Sequence, residues 1–264
     1  MNAKKSTIEP SSAISKDFAG TIDLNCDMGE GIGNDALIMP FISSANIACG
    51  YHAGDEQTMW STIALAVNHG VSIGAHVSYF DRPNFGRTEL SFSHAEVYDL
   101  VTQQLIILKE IADDFPVQIK NVKPHGALYN MSARDTNLAK AIASAVKDFD
   151  PSLVLFGLSG SCSIKAAKSL GLRTASEVFA DRSYQDDGSL TPRSKPNAII
   201  EDAQQSLNQV VQMIQQQVVK TISGKTIPIS AETICIHGDG KEAPVFAKNI
   251  FENLKQAGIA IKAI

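Results

Sequence analysis

The sequence has few groups that would suit it to nucleic acid or to a lipid surface. Its 264 residues carry 23 Lys and Arg against 28 Asp and Glu, a formal net charge of −5. Binding to phosphate backbones or to anionic lipid requires a basic surface. No apolar run approaches the roughly 20 residues that a membrane-spanning helix needs. We therefore expect neither a nucleic-acid partner nor a membrane partner.

Cysteine is also scarce, and its spacing suggests no paired site. The four cysteines form no CxxC motif of the kind that binds zinc or carries redox chemistry. Two adjacent lysines near the start are followed by no apolar segment, so residues 1–20 do not resemble a secretory signal. Their Ser, Lys and Pro content predicts a flexible tail. Because a chain of this length can build a core without disulfides, we expect reduced thiols and a cytoplasmic protein.

Motifs for nucleotide binding and for serine hydrolysis are missing as well. No GxSxG elbow is present, and no GxGxxG opens a helix after a strand. The tripeptide Gly224-Lys225-Thr226 resembles the end of a phosphate loop. Val219 stands where that pattern requires a glycine, and a helical pattern rather than a strand precedes it, so we predict a turn. The chain by itself therefore has no recognisable site for ATP.

From Thr21 onward, short β-rich runs alternate with amphipathic helical patterns. This alternation is typical of a parallel sheet covered by helices. Seven or eight such units in about 240 residues favour a single (β/α) barrel, with a doubly wound open sheet as the alternative. No linker divides the chain, so residues 21–264 are predicted to form one domain. The predicted strands are 21–25, 44–49, 71–76, 118–123, 153–157, 173–179 and 233–237, with 259–262 as a further candidate.

Polar side chains gather where these predicted strands end. In an α/β barrel the strand ends before each helix open onto one face, where active sites are built. Each residue has a simple structural explanation, such as a helix cap at Asp55 or an ion pair at Arg182. Because a polar cavity carries a desolvation cost, their shared location instead predicts an enzyme site. The set is His52, His76, His125, His237, Asp23, Asn25, Asp27, Asp55, Lys123, Glu177, Asp181, Arg182 and Asp239.

A divalent metal ion is a further hypothesis for this face. Neutral imidazoles and carboxylates are suitable ligands, and Asp27, His52, His76 and His125 would supply them. No two histidines are three or four residues apart, and HExxH is absent. Such a site would have to be assembled from separate strands, and the spacing alone leaves metal dependence open.

Several of these segments resemble the signature blocks of the LamB/YcsF family. They are DLNCDMGEG at 23–31, SANIACGYHAGD at 44–55, VKPHGALYN at 122–130, EVFADR at 177–182 and DGSLTPRS at 187–194. The resemblance implies a seven-stranded, TIM-like (β/α) barrel related to polysaccharide deacetylases and some glycoside hydrolases. It also implies ATP-dependent cleavage of 5-oxoproline to L-glutamate, carried out together with B and C subunits.

The absence of a nucleotide-binding motif is consistent with ATP being bound by a partner subunit. Under this hypothesis the partner phosphorylates the lactam oxygen, and a general base on this chain directs water at the activated species. The predicted catalytic residues are Asp27, His52, His76, His125, Asp23 and Asn25. The predicted substrate-binding residues are Lys123, Glu177, Asp181, Arg182, His237 and Asp239.

Two alternatives fit the same residues. One is a metal-dependent amidohydrolase or carbohydrate deacetylase that acts alone, which a tightly bound ion required for activity would favour. The other is a non-catalytic subunit that only binds 5-oxoproline. ATP-dependent glutamate formation that survives substitution of Asp27 and also of His52, with only weaker binding, would favour this second alternative.

Overall fold

Ten β-strands are present in the computed structural model, which describes residues 20–240 and 242–264. Apart from Gly20, the predicted tail lies outside the described residues. The strands are β1 (Thr21–Met28), β2 (Ser44–Ala48), β3 (Ser72–Val77), β4 (Ile119–Pro124), β5 (Val154–Leu158), β6 (Arg173–Phe179), β7 (Val218–Lys220), β8 (Thr226–Pro228), β9 (Thr233–Ile236) and β10 (Ala260–Ile261).

Seven of these strands close into a parallel barrel. Strands β1 to β6 pair in chain order, β9 pairs with β6, and β9 also pairs back with β1. At this closure Asp23 lies opposite Thr233 and Cys26 lies opposite Ile236. This closure confirms the predicted seven-stranded barrel and rules out the alternative, a doubly wound open sheet. The short strand β10 adds to the start of β1, where Thr21 pairs with Ala260.

Helices follow the strands and cover the outside of the barrel. The helix His94–Ala112 begins with a capping box: the Ser93 hydroxyl accepts from the Glu96 N–H, and the Glu96 carboxylate accepts from the Ser93 N–H. Within residues 20–240 and 242–264, no helix is both long and apolar enough to span a bilayer. The helices are α1 (Asp35–Ile38), α2 (Glu56–His69), α3 (His94–Ala112), α4 (Gly126–Arg134), α5 (Thr136–Phe149), α6 (Cys162–Ser169), α7 (Ala203–Gln216) and α8 (Ala243–Gln256).

A small hairpin interrupts this alternation before the last barrel strand. Strands β7 and β8 pair antiparallel, with Val219 opposite Ile227. Gly224 and Lys225 lie in the turn between them, and Thr226 begins β8. The predicted turn is thus confirmed, although the two flanking strands were not part of the prediction.

Strand β1 separates an apolar layer from a polar barrel interior. Its alternate residues Leu24, Cys26 and Met28 are buried in the hydrophobic core beneath the helices. The intervening polar side chains bond to residues of other barrel strands, as Asn25 does to Glu177. Because successive strand residues face opposite sides, one strand serves both layers. The polar residues explain why the sequence predicts that β1 ends at residue 25, whereas it continues to Met28.

Gly74 illustrates how closely this polar interior is packed. A Cβ atom at this position would overlap the side-chain amide of Asn121, far inside van der Waals distance. The same Asn121 amide donates to Asn46 Oδ1 at 2.8 Å. An additional methyl group would therefore displace Asn121 and break this hydrogen bond.

We expect Gly74→Ala to reduce the free energy of unfolding by about 1–3 kcal/mol, because it overpacks a filled interior. Denaturant unfolding of the full chain measures this loss. Gly240→Ala is the control, since its new Cβ would have its nearest neighbour at 4.0 Å. Equal stabilities for the two variants would contradict this description of the barrel interior.

Candidate active site

A cavity of about 900 Å³ opens at the carboxyl ends of the barrel strands. This volume is within the range of small-molecule sites. Seven of the residues predicted from the sequence line it: Asp27, His76, Lys123, His125, Arg182, His237 and Asp239. The structure thus brings strand ends from all parts of the chain to one face.

The buried ammonium group of Lys123 lies at the centre of the cavity floor. Its Nζ is 2.9 Å from Asp27 Oδ1 and 2.9 Å from Glu177 Oε1. It is also 3.0 Å from Cys235 Sγ and 3.3 Å from Asn25 Oδ1. An ammonium group has three N–H donors, so these neighbours occupy its hydrogen-bonding capacity.

The charges on this floor stabilise one another. Burial alone would raise the pKa of Asp27, but His76 and Lys123 hold it well below its ordinary value. Burial likewise opposes the charge on Lys123, yet Asp27 and the other neighbours raise its pKa well above the usual range. Asp27 is therefore an ionised carboxylate at the cavity wall across the neutral pH range.

Asp23 lies one layer deeper, toward the amino ends of the strands. Its carboxylate accepts from the hydroxyl groups of Ser43, Ser44 and Thr233. Burial raises its pKa, although these hydrogen bonds act in the opposite direction. Thr233 in turn accepts from Asn25 Nδ2 at 2.7 Å. Asp23 and Asn25 thus support the floor from below and are not among the residues that line the cavity.

Three histidines and one glutamate form a cluster beside Asp27. The carboxylate oxygen Oε1 of Glu30 is 3.3 Å from His52 Nε2, 3.5 Å from His125 Nδ1 and 3.9 Å from His76 Nε2. His76 Nε2 is also 3.2 Å from Asp27 Oδ2. Glu30 is absent from the predicted set, although its position three residues after Asp27 in the same segment is a usable signal.

Backbone carbonyl groups orient two of these imidazole rings. His76 Nδ1 is 2.9 Å from the carbonyl oxygen of Lys123, and His125 Nε2 is 2.9 Å from that of Phe85. A carbonyl oxygen only accepts, so both of these ring nitrogens carry hydrogen. The other nitrogens, His76 Nε2 and His125 Nδ1, face each other at 2.9 Å.

The loops that carry and cover the histidines are held by specific contacts. Arg82 donates to the carbonyl oxygens of Gly50 and Gly54 and so fixes the loop that contains His52. Gly86, with φ at +66°, allows its loop to pass within van der Waals distance of the rings. A Cβ there would lie 2.9 Å from His125 Cδ2.

Burial keeps His52 and His125 close to neutral. It lowers the pKa of each well below the ordinary value, and neighbouring imidazoles act in the same direction. Burial and the charge of Asp27 raise the pKa of Glu30 well above its ordinary value. The raised pKa of Glu30 indicates that the neighbouring side chains stabilise its negative charge poorly.

The rim of the cavity contains two further charged groups of residues. His237 Nδ1 is 2.9 Å from Asp181 Oδ1, which lowers the pKa of that carboxyl against the effect of burial. Asp239 Oδ2 is 2.8 Å from Arg87 Nη2 and 3.4 Å from Arg193 Nη1. The two arginines are absent from the predicted set, and both line the cavity.

Arg182 and Asp55 have structural contacts. The guanidinium of Arg182 donates to the carbonyl oxygens of Thr191 and Ala198, so it ties down the long loop after β6. Asp55 accepts from Thr58 N–H as the N-cap of α2 and is exposed. The two other histidines, His69 and His94, are exposed on helices α2 and α3.

These features define the chain as an α/β-barrel protein with a buried acid–base site on the carboxyl face of the barrel. The model of the LamB/YcsF family matches residues 22–264, and the chain belongs to this family. It is 51% identical to the A subunit of 5-oxoprolinase from Tolumonas auensis, over 92% of this chain and 99% of that protein. It is 53% identical to the protein of the same name from Shouchella clausii, over 92% and 98%.

Solved structures place the fold in the same group. The lactam utilization protein from Thermus thermophilus superposes with a TM-score of 0.86 at 38% identity, over 92% of this chain and all of that chain. A family 4 carbohydrate esterase from Streptomyces lividans gives a TM-score of 0.50 at 12% identity, over 93% of each chain. This second similarity concerns the fold alone.

Removal of the central cation tests the description of the cavity floor. We expect Lys123→Met to lower the free energy of unfolding by about 3–5 kcal/mol, because Asp27 and Glu177 would remain buried without a counter-ion. Urea unfolding of the full chain measures this loss. Lys109→Met removes an exposed ion pair with Asp113 and should change stability by less than about 1 kcal/mol. Similar losses in the two variants would refute a central role for Lys123.

Proposed function

We propose that this chain is the A subunit of a 5-oxoprolinase, a hydrolase that opens the cyclic amide of 5-oxoproline to give L-glutamate. The observation that carries the proposal is its identity of about half to relatives of that name, which it matches over 98–99% of their length. The family match and the similarity to a lactam utilization protein support it.

ATP enters the reaction as a co-substrate that partner subunits bind. An amide carbonyl is a poor electrophile, and phosphorylation of the lactam oxygen by a complex of B and C subunits would activate it. One water then adds to the carbonyl carbon and the C–N bond breaks, with the proton going to the ring nitrogen. A second water releases phosphate from the resulting acyl phosphate and leaves glutamate. The absence of a nucleotide motif from the sequence supports this division of labour.

Asp27 is the proposed general base for the attacking water. It lines the cavity, and its charge is maintained by Lys123 and His76. We assign Lys123 to this supporting task rather than to direct contact with substrate, because its donors already have partners within the protein. Glu177 and Asn25 contact Lys123 directly, and Asp23 accepts from Thr233, which in turn accepts from Asn25.

The substrate carboxylate or phosphate is proposed to bind at the rim. Arg87 and Arg193 both reach this part of the cavity, and their shared partner Asp239 orients them. Guanidinium groups match the planar geometry of carboxylate and phosphate oxygens. The Asp181–His237 pair and the Arg182-anchored loop form the adjoining wall.

A cytoplasmic location fits this chemistry. The four cysteines are free thiols, and three of them are buried. Reduced cysteines and a supply of ATP are both features of that compartment.

Replacement of Asp27 tests its proposed role. With partner subunits, ATP and 5-oxoproline, we expect Asp27→Asn to lower the rate of glutamate formation by about 10²–10⁴-fold, because general-base catalysis contributes this much. Omission of the chain should abolish lactam cleavage. Asp113→Asn, on the exposed outer surface, should retain the full rate. If Asp27→Asn and His52→Ala both kept the wild-type rate at saturating substrate, the non-catalytic binding subunit would be the correct description.

Neutralisation of Arg87 separates binding from chemistry. We expect Arg87→Met to raise the KM for 5-oxoproline by roughly 10-fold and to leave kcat nearly unchanged, because one charge-assisted contact to substrate is lost. Steady-state kinetics of the reconstituted complex measure both constants. Arg173→Met, at the exposed start of β6, should alter neither. A fall in kcat at constant KM would assign Arg87 to the chemical step instead.

A further inference from the structure

When both rings are neutral, the nitrogens of His76 and His125 that face each other cannot form a hydrogen bond. Each ring donates its outer N–H to a backbone carbonyl oxygen, at 2.9 Å in both cases. In the neutral imidazoles, the inner nitrogens therefore present lone pairs to each other, and they are only 2.9 Å apart. Two acceptors at this distance repel each other unless a positive charge lies between them or beside them.

Two further ligand atoms lie beside these nitrogens. Oε1 of Glu30 is 3.3 Å from His52 Nε2 and 3.5 Å from His125 Nδ1. All four atoms, one from each residue, lie within 4.8 Å of one another. A tetrahedral ion with bonds of about 2.0–2.1 Å separates its ligand atoms by about 3.3–3.4 Å. The separations among the ligand atoms of Glu30, His76 and His125 are 2.9, 3.5 and 3.9 Å, and they bracket this value.

We propose that Glu30, His76 and His125 bind one divalent cation of the zinc class. Two imidazoles and a carboxylate form a ligand set that suits zinc and related transition metals rather than calcium or magnesium, and they leave a fourth position open. The proposal depends on the contacts of these three residues and not on the proposed reaction.

Two neighbouring residues are left outside the ligand set. The ring of His52 stacks on that of His125, with centroids 3.9 Å apart and planes at 10°, so the lone pairs of these two rings cannot converge on one ion. Asp27 Oδ2 lies 3.2 Å from His76 Nε2, but Asp27 does not belong to the group around Glu30 whose ligand atoms all lie within 4.8 Å of one another.

The surroundings of the cluster are those of a metal site. The side chains of Glu30, His76 and His125 are at most 9% exposed, so the ligands are shielded from bulk water. Metal-binding histidines commonly donate their second nitrogen to a backbone carbonyl, as His76 and His125 do here. His52 Nδ1 has no such partner among the described residues.

A single proton between the two histidines would satisfy less of the geometry. A proton on the line between His76 and His125 would relieve their contact, while Glu30 Oε1, 3.5 Å from His125 Nδ1, would not share that proton. One divalent ion would contact Glu30, His76 and His125 at once and would also neutralise Glu30. Since His76 and Glu30 line the cavity, a bound ion would supply a Lewis acid at its wall.

Metal binding to the full chain tests the proposal without substrate, ATP or partner subunits, so its failure would not be confused with failure of the proposed reaction. The protein is freed of any histidine tag, dialysed against a chelator and titrated with zinc chloride by calorimetry. We expect one zinc ion per chain with a dissociation constant below about 1 μM. Cobalt(II) in the same site should give the intense visible absorption of a four- or five-coordinate ion.

Four variants identify the ligands. Glu30→Gln and His76→Gln should each weaken zinc binding by at least about 100-fold, because each removes a direct ligand. His69→Gln and His94→Gln each remove an exposed histidine, and both should bind as the wild type does. Circular dichroism of each variant verifies the fold.

Two results would overturn the proposal. The first is the absence of stoichiometric zinc binding in the wild type, or equal affinity in the wild type and both ligand variants. The second is a nitrogen NMR spectrum in which His76 and His125 share a proton and do not respond to added zinc. That spectrum would assign the positive charge between the rings to a proton.

Discussion

One buried cation, the ammonium group of Lys123, supports the architecture of the whole carboxyl face. It neutralises Asp27 in β1 and Glu177 in β6, the two strands that pair with the closing strand β9. A barrel interior filled by aliphatic side chains would need no such charge. Here the interior is filled by amide, hydroxyl and carboxylate side chains. Each of these buried polar groups forms hydrogen bonds with the next one, which offsets the cost of its burial. The acidity of Asp27, and hence the chemistry proposed for it, depends on this arrangement.

The site combines rigid and loop-borne parts. Asp27, His76 and Lys123 project from barrel strands, whose pairing fixes their relative positions. His52 and Glu30 lie in loops, and those loops are restrained by contacts to backbone carbonyls and by the close approach permitted at Gly86. A floor of strand residues with a cover of anchored loops is the usual way in which a barrel holds reacting groups in register. The rim arginines are more exposed and so are better suited to capture substrate than to position a proton.

Much of this organisation could be predicted from the sequence, for identifiable physical reasons. Strand and helix periodicities predicted the barrel, and its topology then brought four distant histidines to one face. Asp27 could be placed at a strand end, but its partnership with Lys123 depends on a register that no local pattern encodes. Alternation of polar and apolar residues along β1 concealed the last three residues of that strand. Glu30 was missed because a glutamate between two glycines resembles a solvated turn until the histidines are seen around it.

The closure of the ring between β1 and β9 has a consequence for how the protein is made. Asn25 and Thr233, which bond across this seam, are 208 residues apart in the chain. During synthesis the polar face of β1 therefore leaves the ribosome long before its last strand neighbour exists. Until then Asp23 lacks one of its three hydroxyl partners and the Asn25 amide group lacks Thr233, so the first half of the chain cannot complete its interior. Commitment to the native state is thus deferred until the last barrel strand has been translated.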